Sequence, residues 1–328
     1  MGRGGRQNCV TIWRVTNTRA SAAVLASAVL FATTGTSVAL ADAGGSAWSI
    51  GAARLVVGGG LLALVEVVLR SRRTVNSGGT RVGEVRGAGR AVRAATRRPG
   101  VVGALVTLGA LGVLAYQPCF FAGTHANGIA IGTVLALGSA PVFTGVLAIV
   151  AGQSRPDRIW LLATAAALLG VVLLSGVLSH SRGEVRLTIG GVAASLGAGL
   201  SYAVYTIAAK ALLERGWTSG QTMGWFFGLA AAAAVPVLAG LGGGWVATPR
   251  GLALALWLGI GTTAAAYLLF GWGLARLPAR TVATLTLAEP LCASLLGISV
   301  LGERLDGTSL AGMAALGLGL VLLAAKGR

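Results

Sequence analysis

Glu289-Pro290-Leu291-Cys292, then Gly302-Glu303, then Gly319-Leu320-Val321-Leu322-Leu323, is the second appearance of one pattern in this chain. The first runs Ala140-Pro141-Val142-Phe143, then Gly152-Gln153, then Gly170-Val171-Val172-Leu173-Leu174. Pro141 and Pro290 lie 149 positions apart, and so do Gly170 and Gly319. Upstream, Ala115-Tyr116 matches Ala266-Tyr267 with a slip of two residues. Both copies occupy apolar windows of about 20 residues, the length a helix needs to cross a hydrocarbon core. The chain predicts ten such spans, beginning near Ala20, Ser46, Gly100, Gly128, Ile159, Leu187, Gly220, Gly251, Thr281 and Gly307. Each copy then holds five helices, an odd number, so the second enters the membrane from the opposite side. The expected fold class is all-α integral membrane, with two inverted five-helix repeats.

Composition agrees. Of 328 residues, 55% are hydrophobic and 11% charged, whereas a soluble domain carries about 25% charged residues. Most of the 52 glycines fall inside the apolar runs, where small residues let membrane helices approach; Gly224 and Gly228 are one such pair. The net charge of +17 does not point to nucleic acid, because its arginines lie in short segments between spans. With the N-terminus placed inside, 21 of the 26 Lys and Arg fall on the cytoplasmic side. Four (Arg182, Arg186, Arg250 and Arg304) fall outside, and Arg54 opens a helix. That bias predicts a multi-pass plasma-membrane protein with both termini cytoplasmic. The Arg-rich, Ala/Gly-rich composition points to a bacterial membrane.

The expected layout is a basic cytoplasmic tail over 1–19, a first repeat over 20–179 with a basic cytoplasmic loop at 70–100, and a second repeat over 187–325. A rival reading makes the first span a cleavable signal peptide, ending at Ala39-Leu40-Ala41. Within the loop, Arg86, Arg90, Arg93 and Arg97 would form a basic stripe on a helix, suited to anionic lipid headgroups; a loop that merely sets topology is the plainer alternative.

The run Ala288-Glu289-Pro290-Leu291 through Leu301-Gly302-Glu303-Arg304, before a Gly-rich last helix, resembles the closing signature of the EamA family of drug/metabolite transporters. Ala53-Arg54-Leu55 and Ser201-Tyr202-Ala203-Val204-Tyr205 are similar to that family's pattern too, and the resemblance spans about residues 20–325. It implies ten helices around a central cavity and export or exchange of metabolites. Gly152-Gln153 stands where members commonly carry Gly-Glu.

Charges and tyrosines within spans are the candidate solute-binding residues, because ionisable groups in a membrane are expensive and tend to be functional. Glu289, beside a helix-breaking proline, suits a proton or a cationic group, or else pairs structurally with Arg276 or Arg280. Arg54 suits an anionic group, or else snorkels or pairs with Asp42. Glu66 reads as an interfacial partner of Arg70, and Lys210 as a topology anchor. Tyr116, Tyr202 and Tyr267 offer an apolar face and a hydroxyl to a small amphipathic solute, with Tyr205 one turn from Tyr202; interfacial anchoring is the plainer role. Trp225, Trp245 and Trp257 read as belt or packing residues, and His125 and His180 as outer-loop residues.

No catalytic residue, metal ligand set or cofactor motif is expected. The chain lacks G-x-S-x-G, H-E-x-x-H and G-x-x-x-x-G-K-[ST], and with the last any means of hydrolysing ATP by itself. The expected partners are a small-molecule solute and the lipid bilayer. A secondary transporter working by alternating access, more often outward and with proton coupling as a candidate drive, is the leading expectation. A non-transporting membrane enzyme or assembly subunit, and a lipid or lipid-linked sugar flippase, are the alternatives.

Overall fold

A computed structural model of the chain describes residues 4–76, 99–175, 188–303 and 306–326. Among the described residues ten helical spans follow one another: α1 (Gly4–Ala41), α2 (Ala47–Asn76), α3 (Pro99–Asn127), α4 (Ile129–Val150), α5 (Arg158–Leu174), α6 (Ile189–Glu214), α7 (Ser219–Leu241), α8 (Pro249–Leu274), α9 (Ala279–Leu301) and α10 (Gly307–Lys326). Nine of them hold a stretch long and apolar enough to cross a membrane; α5, with 17 residues, is a shorter apolar helix. No strand occurs among the described residues. Helix α1 begins at Gly4, so it runs back through most of the tail expected to precede it. The stripe at Arg86, Arg90, Arg93 and Arg97 lies outside the described residues, as does His180.

Local sequence explains where helices start. Asp157 accepts the backbone N–H of Trp160 at 2.9 Å, and Thr188 accepts that of Gly191 at 3.1 Å. Thr218 and Gln221 form a reciprocal capping box at the head of α7. Each cap satisfies a backbone donor that the first turn leaves without a partner.

Two spans are not uniform helices. In α8, Trp257–Ala265 is wound as a π-helix between two α-helical segments. The hydroxyls of Thr262 and Thr263 both donate to the carbonyl of Leu258, at 2.8 Å each, within this wider turn. In α9 the helix breaks at Thr286 and Leu287, between Ala279–Leu285 and Ala288–Leu301. Pro290 cannot donate to Thr286 four residues back; the Glu289 N–H takes that carbonyl instead, at 2.9 Å.

The packing respects the 149-residue offset. A Cβ on Gly170 would lie 2.5 Å from the backbone nitrogen of Leu316, and one on Gly319 would lie 2.8 Å from that of Ala167. The offset exchanges Gly170 with Gly319 and Ala167 with Leu316, so the two contacts are one contact seen from either half. The larger pairings follow the same rule. Helix α3 packs on α6 as α8 packs on α1, α4 on α6 as α9 on α1, and α2 on α8 as α7 on α3; α2 meets α7, and α5 meets α10.

Candidate functional site

Where equivalent helices of the two halves meet, the middle of the bundle is hollow. A cavity of about 60 Å³ is lined by Phe31, Arg54, Tyr116, Leu137, Ala140, Tyr202, Tyr205, Tyr267, Ala283, Thr286, Leu287 and Glu289. A smaller one of about 30 Å³ shares Arg54, Tyr116, Tyr205 and Tyr267 with it, and adds Gln117, Phe227 and Thr263. All five sequence candidates (Arg54, Tyr116, Tyr202, Tyr267 and Glu289) therefore face one space, although they come from five different helices.

Arg54 reaches that space because α2 lies on the π-helical part of α8. A Cβ on Gly58, one turn beyond Arg54, would stand 2.6 Å from the carbonyl of Gly259, so only glycine lets the two backbones come so near. The Arg54 Nε then donates to Thr263 Oγ1 at 2.9 Å, and Nη2 donates to the Thr262 carbonyl at 3.1 Å. Pairing with Asp42, the plainer expectation, is not what the structure shows. A guanidinium has five N–H donors, and no described residue accepts from the others.

Glu289 stands about halfway along Ala279–Leu301 rather than near its cytoplasmic end. Its expected structural partners are engaged elsewhere. Arg280 donates to the carbonyl and hydroxyl of Ser154, the latter at 3.1 Å. Arg276 lies 3.8 Å over the Trp272 ring and donates to the Trp272 carbonyl. Among the described residues no ion pair joins Glu289 to Arg54, although both line the larger cavity.

The tyrosines form a connected wall. Tyr267 packs on Phe227 at 4.1 Å and on Phe31 at 5.0 Å between ring centroids, and its hydroxyl lies 3.5 Å from that of Tyr205. The Tyr202 hydroxyl meets Thr286 Oγ1 at 2.9 Å. Buried tyrosines with partnered hydroxyls are not interfacial anchors. Tyr205, Thr286 and Phe31 join the site although only Tyr205 had a signal in the sequence, its spacing from Tyr202. Phe31 and Thr286 look like ordinary span residues until the helices are assembled.

A polar seam joins α5 to the Ala279–Leu285 segment of α9, where Thr284 is next in sequence to the cavity-lining Ala283. The Trp160 indole N–H donates to the Arg280 carbonyl at 3.2 Å, the hydroxyls of Thr164 and Thr284 are 3.0 Å apart, and Arg280 holds Ser154 as described. The other segment of α9, Ala288–Leu301, packs on α1 and α10 rather than on α4. The 149-residue offset places Leu135 and Met313 where Thr284 and Thr164 pair, and Ile131 where Arg280 stands. The threonine pair and the arginine contact of the seam therefore have no counterpart at the equivalent positions. Trp245, expected to be belt or packing, donates from its indole to Ser49 Oγ at 2.7 Å and so clasps the start of α2 to the α7–α8 turn.

A multi-helix membrane bundle enclosing a hollow at its centre, with ionisable groups facing it, has the form of a transporter. Comparison with known proteins agrees: a model of the EamA-like transporter family matches residues 189–325. An uncharacterized transporter of Bacillus subtilis, YwfM, is 37% identical over 305 residues, covering 93% of each chain. The threonine/homoserine exporter RhtA of Escherichia coli K12 is 31% identical over 255 residues, covering 70% of this chain and 81% of its own. A solved crystal structure with 17% identity superposes at a TM-score of 0.70 over 92% of this chain and 97% of its own, which shows a shared fold. The chain belongs to the EamA-like transporter family of the drug/metabolite transporter superfamily, and it is a multi-pass membrane protein.

Proposed function

We propose that this chain is a secondary transporter of the bacterial plasma membrane, both termini cytoplasmic, that moves a small solute outward by alternating access. The two halves act as inverted repeats, 20–179 and 187–325, that exchange conformations around the central cavity. The observation that carries the reading is that cavity: it lies between equivalent helices of both halves, with Arg54 and Glu289 facing it unpaired with each other. An isolated ionised carboxylate in an apolar interior is costly. A proton or a cationic group on Glu289 removes that cost, which makes it the candidate coupling residue. Amino acids head the list of solutes, because the related exporter is named for threonine and homoserine.

Uptake and efflux of amino acids, purines and cationic dyes in proteoliposomes, with and without a pH gradient, test this. Solute movement that follows the gradient, and loses that dependence in Glu289→Gln, is the expected result. Gradient-driven movement that persists in Glu289→Gln removes the coupling role from this residue. No movement of any solute by folded protein overturns the transport reading.

A further inference from the structure

We infer that the cavity is a zwitterion clamp: Arg54 takes the carboxylate and Glu289 the ammonium of a small α-amino acid. This rests on the transport reading and adds to it the group that each charged side chain binds and the orientation in which the solute sits. The first support is charge balance. Arg54 and Glu289 line the same cavity with no ion pair between them, so with Glu289 ionised their charges cancel across the cavity while each lacks its own counter-charge. A solute of a single charge compensates one of them and leaves the other bare, and an uncharged solute leaves both. Only a solute carrying both charges satisfies both at once.

The second support is preorganisation. Arg54 is held by two hydrogen bonds to Thr262 and Thr263 on the π-helical segment of α8, which fix the guanidinium plane and spend part of its fork. The donors left over suit a planar carboxylate, which a guanidinium binds through parallel N–H groups. Glu289 has a different setting: it makes no hydrogen bond to a described residue, and it shares the larger cavity with Tyr116, Tyr202 and Tyr267. A carboxylate beside aromatic rings is the setting that an ammonium prefers to a carboxylate.

The third support is size and symmetry. A water needs roughly 10–15 Å³ of such space, so about 60 Å³ admits a solute of only a few heavy atoms without rearrangement. The tyrosines at 116 and 267 are equivalent in the two repeats, but the offset pairs Glu289 with Ala140, which faces the same cavity. The two repeats thus share the tyrosines and differ in the carboxylate, which leaves the cavity one orientation for a zwitterion.

The test is binding to the purified protein by calorimetry, with three probe classes: L-threonine and L-valine; 1-amino-2-propanol, which lacks the carboxylate; and 3-hydroxybutyrate, which lacks the ammonium. An amino acid is expected to bind about a hundredfold more tightly than either single-charge analogue, the scale of losing one buried charged contact. Arg54→Lys keeps the charge but not the fork and should lower amino-acid affinity while leaving amino-alcohol affinity unchanged. Glu289→Gln should weaken both amino acid and amino alcohol. Equal affinity of wild-type protein for amino acid and amino alcohol overturns the role of Arg54, and equal affinity for amino acid and hydroxy acid overturns that of Glu289. Transport of purines or dyes with no amino-acid binding sinks the clamp and leaves the transporter reading standing. No binding and no transport of any probe sinks both.

Discussion

Gly170→Val and Gly319→Val each remove most of the folded protein, to the same degree, while Gly317→Val does not. A Cβ at Gly170 meets the Leu316 nitrogen at 2.5 Å and the Gly312 carbonyl at 2.7 Å; one at Gly319 meets the Ala163 carbonyl at 2.6 Å and the Ala167 nitrogen at 2.8 Å. These are backbone atoms, so no rotamer change relieves the clash, and the helices must separate. Separation is severe in a membrane, where packing rather than the hydrophobic effect holds helices together. Gly317 lies on the same helix with nothing within 4 Å of its Cβ, and it serves as the control for helix propensity. The expected loss is several kcal/mol, a fall of roughly 10 °C or more in the unfolding midpoint in detergent, or failure to recover a monodisperse protein. A large effect at one of Gly170 and Gly319 with none at the other would contradict the pseudo-symmetric interface.

Breaking the polar seam is the second large effect, and it acts on conformation rather than stability. Trp160→Phe, Thr164→Val and Thr284→Val together keep the shape of the α5–α9 contact. They remove the indole bond to the Arg280 carbonyl and the threonine pair. At about 1 kcal/mol net per hydrogen bond, two bonds are worth about 2 kcal/mol, roughly thirtyfold in an equilibrium. In the proposed alternating-access cycle this seam would part as the cavity opens at the Ser154 end, so the variant is expected to shift population toward that state. The measurement is impermeant-maleimide labelling of Leu137→Cys, on the cavity wall, in a protein stripped of its natural cysteines. Labelling from the Ser154 side relative to the opposite side should rise by about thirtyfold. The converse variant, Leu135→Thr with Met313→Thr, places a threonine pair at the equivalent position of the other end and should move the ratio the opposite way. An unchanged ratio in both variants would show that the seam does not bias the conformational equilibrium.

Much of the architecture can be read along the chain, for physical reasons that attach to particular residues. A membrane span must satisfy its backbone internally and bury apolar side chains in lipid, so nine of the ten starts were legible as hydropathy windows to within two residues. The first was not, because α1 begins at Gly4 rather than near Ala20. Ile189 in place of Leu187 shows the usual error of one or two residues, because the Thr188 cap decides the first turn. The repeat was legible because Pro141 and Pro290, and Gly170 and Gly319, are residues whose backbone roles tolerate few replacements. The candidate residues were legible too, since charge and tyrosine inside a span are rare enough to stand out.

What each candidate touches was not legible. Glu289 with Arg276 or Arg280, and Arg54 with Asp42, are the pairings that nearness in sequence favours. Arg54 instead bonds residues more than 200 positions away, and Arg280 bonds Ser154 at a separation of 126. Thr262 and Thr263 gave no sign of a π-helix, because a wider turn depends on what packs against it, here Gly58 on Gly259. The sequence by itself determined the all-helical membrane class, the repeated motif and the small set of ionisable residues and tyrosines that the spans carry, because lipid punishes any other distribution of apolar and charged groups. The tertiary structure alone decided that Arg54 and Glu289 share a cavity without pairing, and that a polar seam ties α5 to α9. Both depend on contacts between helices far apart in the chain, which no local pattern encodes.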